Sequence, residues 1–149
     1  NNFGIFTSDT ALDLYNQATT GIFSVLVGVV GLALVVAGIV IMNIMLMAVS
    51  ERTREIGLRK ALGARRLDIM CQVLSESVAL SLLGGIFGTA LGAGAATLID
   101  RLAPVPASVH VWSIVLALTL TAVVGLFFGI YPASKAAALD PIDALGRVS

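Results

Sequence analysis

No charged side chain occurs between Leu14 and Ser50, and none between Ser77 and Ile99. A helix rises about 1.5 Å per residue, so roughly 20 apolar residues cross the hydrocarbon of a bilayer. Both runs reach that length. Between them lies a basic island, S-E-R-T-R-E-I-G-L-R-K-A-L-G-A-R-R from Ser50 to Arg66, with Arg52, Arg54, Arg59, Lys60, Arg65 and Arg66 against only Glu51 and Glu55. The other basic residues, Arg101, Lys135 and Arg147, are scattered. An excess of Lys and Arg marks the cytoplasmic side of a membrane, because those residues resist translocation. The island therefore reads as a short cytoplasmic loop between two membrane helices.

Composition agrees. Apolar residues make up 58% of the chain and charged residues 12%, against about 25% charged in an ordinary soluble domain. The formal net charge is zero, so nothing favours nucleic acid as a partner. Cys71 is the only cysteine, which excludes an internal disulfide and leaves a thiol that reads as packing filler. His110 has no second His, Cys or carboxylate at ligand spacing, so no metal site is expected.

Phe3 and Ile5 alternate with Asn2 and Gly4, a pattern that fits the end of a strand. The cluster Thr7-Ser8-Asp9-Thr10 predicts a helix start near Thr10. The first span then occupies about Ile22–Val49, and its surplus length predicts a stalk standing out of the bilayer. Asn43 is polar and deep in this span, and an interhelical hydrogen bond is its simplest use. In the island, Glu55 and Arg59 sit at i, i+4 and Gly63 is a good stop, so a short helix over about Glu51–Leu62 is expected. On a helical wheel Leu58, Ala61 and Leu62 share one face, and one side of the helix is expected to rest on its own bundle. Ile56 lies opposite, ringed by Arg52, Arg59 and Lys60, and is expected to meet a protein partner. On composition alone a solvated loop is the better reading of the island.

The second span is Ser77–Ile99, preceded by Asp68 and Glu76, and Glu76 is expected to pair with a nearby arginine. Gly84, Gly88 and Gly92 repeat at i, i+4, and Gly125 and Gly129 do so in the third span, Val111–Ile130. Such rows predict close helix contact, within a chain or between chains. Trp112 and Tyr131 bracket the third span as interfacial aromatics. Pro132 is expected to close it, and Asp140-Pro141 to open a capped single turn. The fold expected is an all-α membrane protein. Its N-terminal end lies outside and its C-terminal end inside, and at least one more span and an external segment are expected upstream.

Two stretches then carry a resemblance. I-M-N-I-M-L-M-A-V-S-E-R-T-R-E-I-G-L-R-K-A-L-G-A, Ile41 to Ala64, resembles the signature of the MacB/FtsX-type permeases of ABC transporters. L-L-G-G, Leu82 to Gly85, and Y-P-A-S-K-A-A-A-L-D-P-I-D-A-L, Tyr131 to Leu145, fit the same pattern. Ser134 stands at a commonly basic position of that pattern, and Gly146 where a more helical residue is usual.

The resemblance implies that residues 1–9 leave an external domain and 10–149 form a permease membrane domain. Its parts would be a stalk plus span over 10–49, a coupling helix over 51–62, a span over 67–99, an external loop over 100–110, a span over 111–131 and a cytoplasmic tail over 132–149. The coupling helix would meet an ATP-binding domain, fused or separate, through Glu51, Arg52, Arg54, Glu55, Ile56, Arg59, Lys60 and Leu62. ATP and Mg would sit on that domain, since no Walker-type loop occurs here. Two permease copies would pair in the bacterial inner membrane, with an external adaptor or outer-membrane channel as a further partner. The implied work is export or extraction of a macrolide, peptide or lipoprotein, driven by ATP hydrolysis. The alternative is an FtsX-like scaffold that moves no substrate and relays force to an external cell-wall enzyme.

Overall fold

A computed structural model describes the backbone of residues 3–102 and 109–140, with side chains from Thr10 onward. Four helices account for nearly all of it: α1 (Phe3–Glu51), α2 (Thr53–Ala61), α3 (Arg66–Leu102) and α4 (Val111–Ala138). Among the described residues there is no strand. Three helices are long and apolar enough to cross a membrane: Thr10–Glu51, Arg66–Leu102 and Val111–Ala138. The all-helical membrane architecture is thus as expected.

The expected strand end is not. Helix begins at Phe3 and runs through the Thr7–Thr10 cluster. Helix propensity differs little between Ser, Thr and Asp and their neighbours, and no proline or helix-stopping residue stands between Phe3 and the long apolar run. The expected one-turn helix at Asp140-Pro141 and the outer-loop prolines Pro104 and Pro106 lie outside the described residues.

The chain divides into two compact units, Asn1–Val36 and Ala37–Ser149. In the first, nearly every described side chain is exposed, Thr19 and Leu34 being half-covered. Val25, Val27, Val30 and Leu32 are among the exposed ones. From Ile22 onward the exposed side chains of this unit are apolar all round apart from Ser24, as on a helix whose solvent is lipid.

The second unit holds the core. Met45 and Val49 of α1, Ile56 of α2, Ile69 and Val73 of α3 and Ala133 and Ala136 of α4 pack together, with Ile41, Leu74 and Leu139 beside them. Farther along, α3 and α4 approach through small residues. A Cβ added at Gly125 would overlap Ser81 Oγ, and one at Gly129 would lie 2.7 Å from Ser77 Cβ. Ser77 and Ser81 are buried, and their hydroxyls donate to the carbonyls of Val73 and Val78 on their own helix. Gly85 meets Thr121, and Gly38 of α1 meets the Phe128 ring. Gly125 and Gly129 therefore make the close contact their spacing implies. Gly84, Gly88 and Gly92 make none among the described residues: a Cβ on any of them would meet nothing within 4 Å. The row that faces α4 is offset by one residue, through Gly85.

Pro132 does not close α4, which continues to Ala138. Proline forfeits the bond its N–H would make to the preceding turn, and its ring crowds the carbonyl four residues back. Pro132, Ala133, Ala136 and Ala137 are all buried, so packing of the last two turns on α2 and α3 offsets that loss.

Candidate functional site

The basic island folds as an elbow. Only Arg52, at φ −94° and ψ 15°, separates α1 from α2. The hydroxyl of Thr53 donates to the carbonyls of Val49 at 3.1 Å and Ser50 at 2.8 Å, which ties the start of α2 to the end of α1. At the other end Gly63 takes φ 102°. Its N–H donates to the Lys60 carbonyl, and the Ala64 N–H donates to the Arg59 carbonyl, both at 3.0 Å. This pair of bonds is a Schellman close, which needs a left-handed residue that glycine supplies without strain. The chain then enters α3, where the Asp68 carboxylate reaches back to the Arg65 N–H at 2.9 Å, as the acidic partner of a capping box does. The stop at Gly63 is as the sequence predicts.

Each side of α2 has a different neighbour. The core side carries Ile56, 8% exposed, and Gly57. One flank faces α3: Arg59 donates to Glu55 at 2.6 Å and to the Gln72 side chain, and Arg52 lies 3.8 Å from Glu76. The expected Glu55–Arg59 pair and an arginine for Glu76 are both present. The other flank faces α4. Lys60 Nζ donates to the carbonyl oxygens of Ala137 at 2.5 Å and Leu139 at 2.6 Å. These are end-of-helix carbonyls, which lack partners inside α4 and carry the negative end of its dipole. Burial lowers the Lys60 pKa from its ordinary value; Arg66 adds to the shift and Asp140 opposes it.

The remaining face looks outward. Arg54, Leu58, Ala61 and Leu62 lie within about 100° of one another at 100° per residue, and all are exposed, Leu58 by 53% and Leu62 by 81%. A shallow groove beside Leu58 is lined by Glu51, Arg52, Arg54 and Glu55. The elbow thus presents an apolar stripe edged by charge, on a helix held from its three other sides.

The FtsX-like permease C-terminal family matches residues 20–141. The chain belongs to that family. The macrolide export ATP-binding/permease protein MacB of Bdellovibrio bacteriovorus is 45% identical over 143 residues, which is 96% of this chain and 22% of that protein. MacB of Chlorobium luteolum is 56% identical over 105 residues, 70% of this chain and 16% of that protein. An uncharacterized ABC transporter permease of Bacillus subtilis, YknZ, is 48% identical over 128 residues, 85% of this chain and 32% of that protein. The chain spans between about a sixth and a third of the length of these curated relatives. Its MacB/FtsX-type ABC permease affiliation covers the spans, the elbow and α4 alike.

Within this permease fold the two faces of α2 are exchanged relative to the sequence reading. Ile56, expected at a partner, is core; Leu62, also expected at a partner, is exposed, together with Leu58 and Ala61. Lys60, expected at a partner, is turned to α4. Arg52 and Arg59 reach α3 while keeping exposed surface, Glu55 pairs with Arg59 on its own helix, and Glu51 and Arg54 are exposed. The wheel assigns residues to shared faces but does not say which face turns inward. The Lys60 clamp joins residues 77 and 79 positions apart, and no local spacing announces it.

Proposed function

We propose that this chain is the membrane part of an ATP-driven permease of the MacB kind, with the α2 elbow as its cytoplasmic docking point. The partner is an ATP-binding domain, fused or separate, that holds ATP and Mg. The observation that carries this reading is the outward stripe of Arg54, Leu58, Ala61 and Leu62 on a helix otherwise fastened to its own bundle. Exposed leucines beside charge suit a protein surface, because a solvated loop gains nothing from them.

The fastenings give the stripe a mechanical role. A push on Leu58 and Leu62 reaches α3 through Arg59–Gln72 and Arg52–Glu76, α4 through Lys60, and the core through Ile56. The names of the MacB relatives support export of a macrolide; peptides and lipoproteins are the neighbouring substrate classes. The working unit is a pair of permease copies in the inner membrane, with the N-terminal side outside and an external adaptor or outer-membrane channel as a further partner.

The test is ATPase stimulation in the full-length protein reconstituted in vesicles. Leu58→Asp with Leu62→Asp is expected to abolish stimulation of ATP hydrolysis while leaving the membrane part folded. Full stimulation in a folded double variant overturns the docking role.

A further inference from the structure

The two flanks of α2 differ in charge balance. Toward α3 each arginine has a partner, Arg59 with Glu55 and Gln72 and Arg52 with Glu76. Toward α4 the cations are in excess. A groove there is lined by Lys60, Ala64, Arg66, Ala138, Leu139 and Asp140. Lys60 is engaged with the end of α4. Arg66 stands near enough to repel it, and Asp140 attracts it. Arg66 and Lys135 are both exposed, and neither has a hydrogen-bond or ion-pair partner among the described residues. Lys135 lies three positions before Ala138, hence on the same face of α4. That face continues into the span as an apolar stripe. Leu120, Val123, Phe127 and Tyr131 recur at three or four residues, and all are exposed. Along α4 the stripe thus runs from aliphatic to aromatic to cationic and ends in the groove. Tyr131 closes the apolar run, and Lys135 lies about 6 Å of helix beyond it. The polar layer of a bilayer adds about 5–8 Å to each side of the hydrocarbon, so Lys135 stands at headgroup depth. The long side chain of Arg66 can lean toward the same depth.

We infer that this stripe and groove hold one anionic phospholipid of the cytoplasmic leaflet, its acyl chains along Phe127 and Tyr131 and its phosphate between Arg66 and Lys135. The inference rests on the cytoplasmic placement of the elbow proposed above. A free phosphate needs the cations alone, whereas an amphiphile uses the apolar stripe as well. A zwitterionic lipid brings a cation of its own to a groove that already has them in excess; an anionic one brings the missing charge. Bound there, the lipid bridges the start of α3 and the end of α4 beside the Lys60 clamp. An acidic side chain of the ATP-binding domain is the competing occupant.

The experiment uses the full-length protein in phosphatidylcholine vesicles containing phosphatidylglycerol with a photo-reactive group on its headgroup or on an acyl chain. Peptide mapping is expected to find headgroup labelling within residues 64–66 and 135–140, and acyl labelling at Phe127 and Tyr131. Unlabelled phosphatidylglycerol is expected to compete; extra phosphatidylcholine and inorganic phosphate are not. Arg66→Gln and Lys135→Gln are each expected to weaken binding about 5-fold and together about 30-fold, while Arg66→Lys keeps most of it. Arg54→Gln, an equal loss of charge on the outward face of α2, is expected to change it little. An equal drop in Arg54→Gln reduces the effect to general surface charge and overturns the site. Competition by inorganic phosphate overturns the lipid as occupant. So does a photo-reactive residue at position 66 that cross-links to the ATP-binding domain and not to lipid. ATPase stimulation is measured in the same vesicles: intact stimulation without labelling strikes the lipid site alone, and full stimulation in the folded α2 double variant strikes the docking reading.

Discussion

Lys60 and Ala137, on different helices and 77 positions apart, are joined by a 2.5 Å hydrogen bond from the lysine ammonium to the backbone carbonyl. The same ammonium holds the Leu139 carbonyl. The elbow is thereby capping the C-terminal end of α4. Lys60→Met keeps the stem and removes the donor. It is expected to cost about 1.5–3 kcal/mol, the range for a hydrogen bond to a charged group, with faster amide exchange over residues 136–140. Hydrogen exchange and thermal melts in detergent check this; unchanged exchange at Leu139 contradicts the clamp.

The same residue predicts a pH trend. Burial and Arg66 lower the folded-state pKa of Lys60 from its ordinary 10.5, against Asp140. Between the two values the unfolded chain binds more protons than the folded one, so stability rises with pH there. Below the folded value the penalty for burying the charge is fully present, and above 10.5 it is gone. Melting temperature measured from pH 8 upward is expected to climb on nearing 10.5 more in the native chain than in Lys60→Met.

Gly125→Ala is expected to destabilise the α3–α4 pair by about 1–3 kcal/mol, the usual cost of overpacking, because its Cβ would overlap Ser81 Oγ and lie 3.1 Å from the Ser77 carbonyl. Ser81→Ala should recover part of the loss, since the backbone contact stays. Gly84→Ala, Gly88→Ala and Gly92→Ala meet open space and should leave the stability of the isolated chain unchanged or raise it by up to about 1 kcal/mol each, since alanine is the better helix former. Thermal unfolding of the five variants checks the contrast.

Much of this was legible in the residues. Charge-free runs delimit three spans because lipid tolerates few charges. Gly63 marks the end of α2 because few other residues take its backbone angles. Glu55 and Arg59 pair because i, i+4 spacing brings them together. What stayed hidden depends on tertiary contact. Ile56 among cations looked like a partner residue, yet it fills the space between Val49, Ile69, Val73 and Ala136. Pro132 looked like a stop, yet the alanines after it pack closely enough to keep the helix going. The glycine row at 84, 88 and 92 and the contact at Gly85 lie within the same stretch, and periodicity alone does not say which meets α4.

Exchanging the faces of α2 changes what mutations there report. Ile56→Ala removes a core side chain and is expected to cost about 2–4 kcal/mol, so loss of coupling in Ile56→Asp would reflect misfolding. Leu62→Ala, on an 81% exposed residue, is expected to leave the melting temperature nearly unchanged. Unfolding curves for the two variants test the assignment directly.

The docking of the elbow is tested most directly by a photo-reactive residue at position 62 of the full-length protein in native membranes, with Phe87, an exposed position in the second span, as control. The expected result is a cross-link from position 62 to the ATP-binding domain and none from position 87. Cross-links from position 62 to lipid alone, or reaction of that position with reagent added from outside the cell, would contradict both the orientation and the docking role.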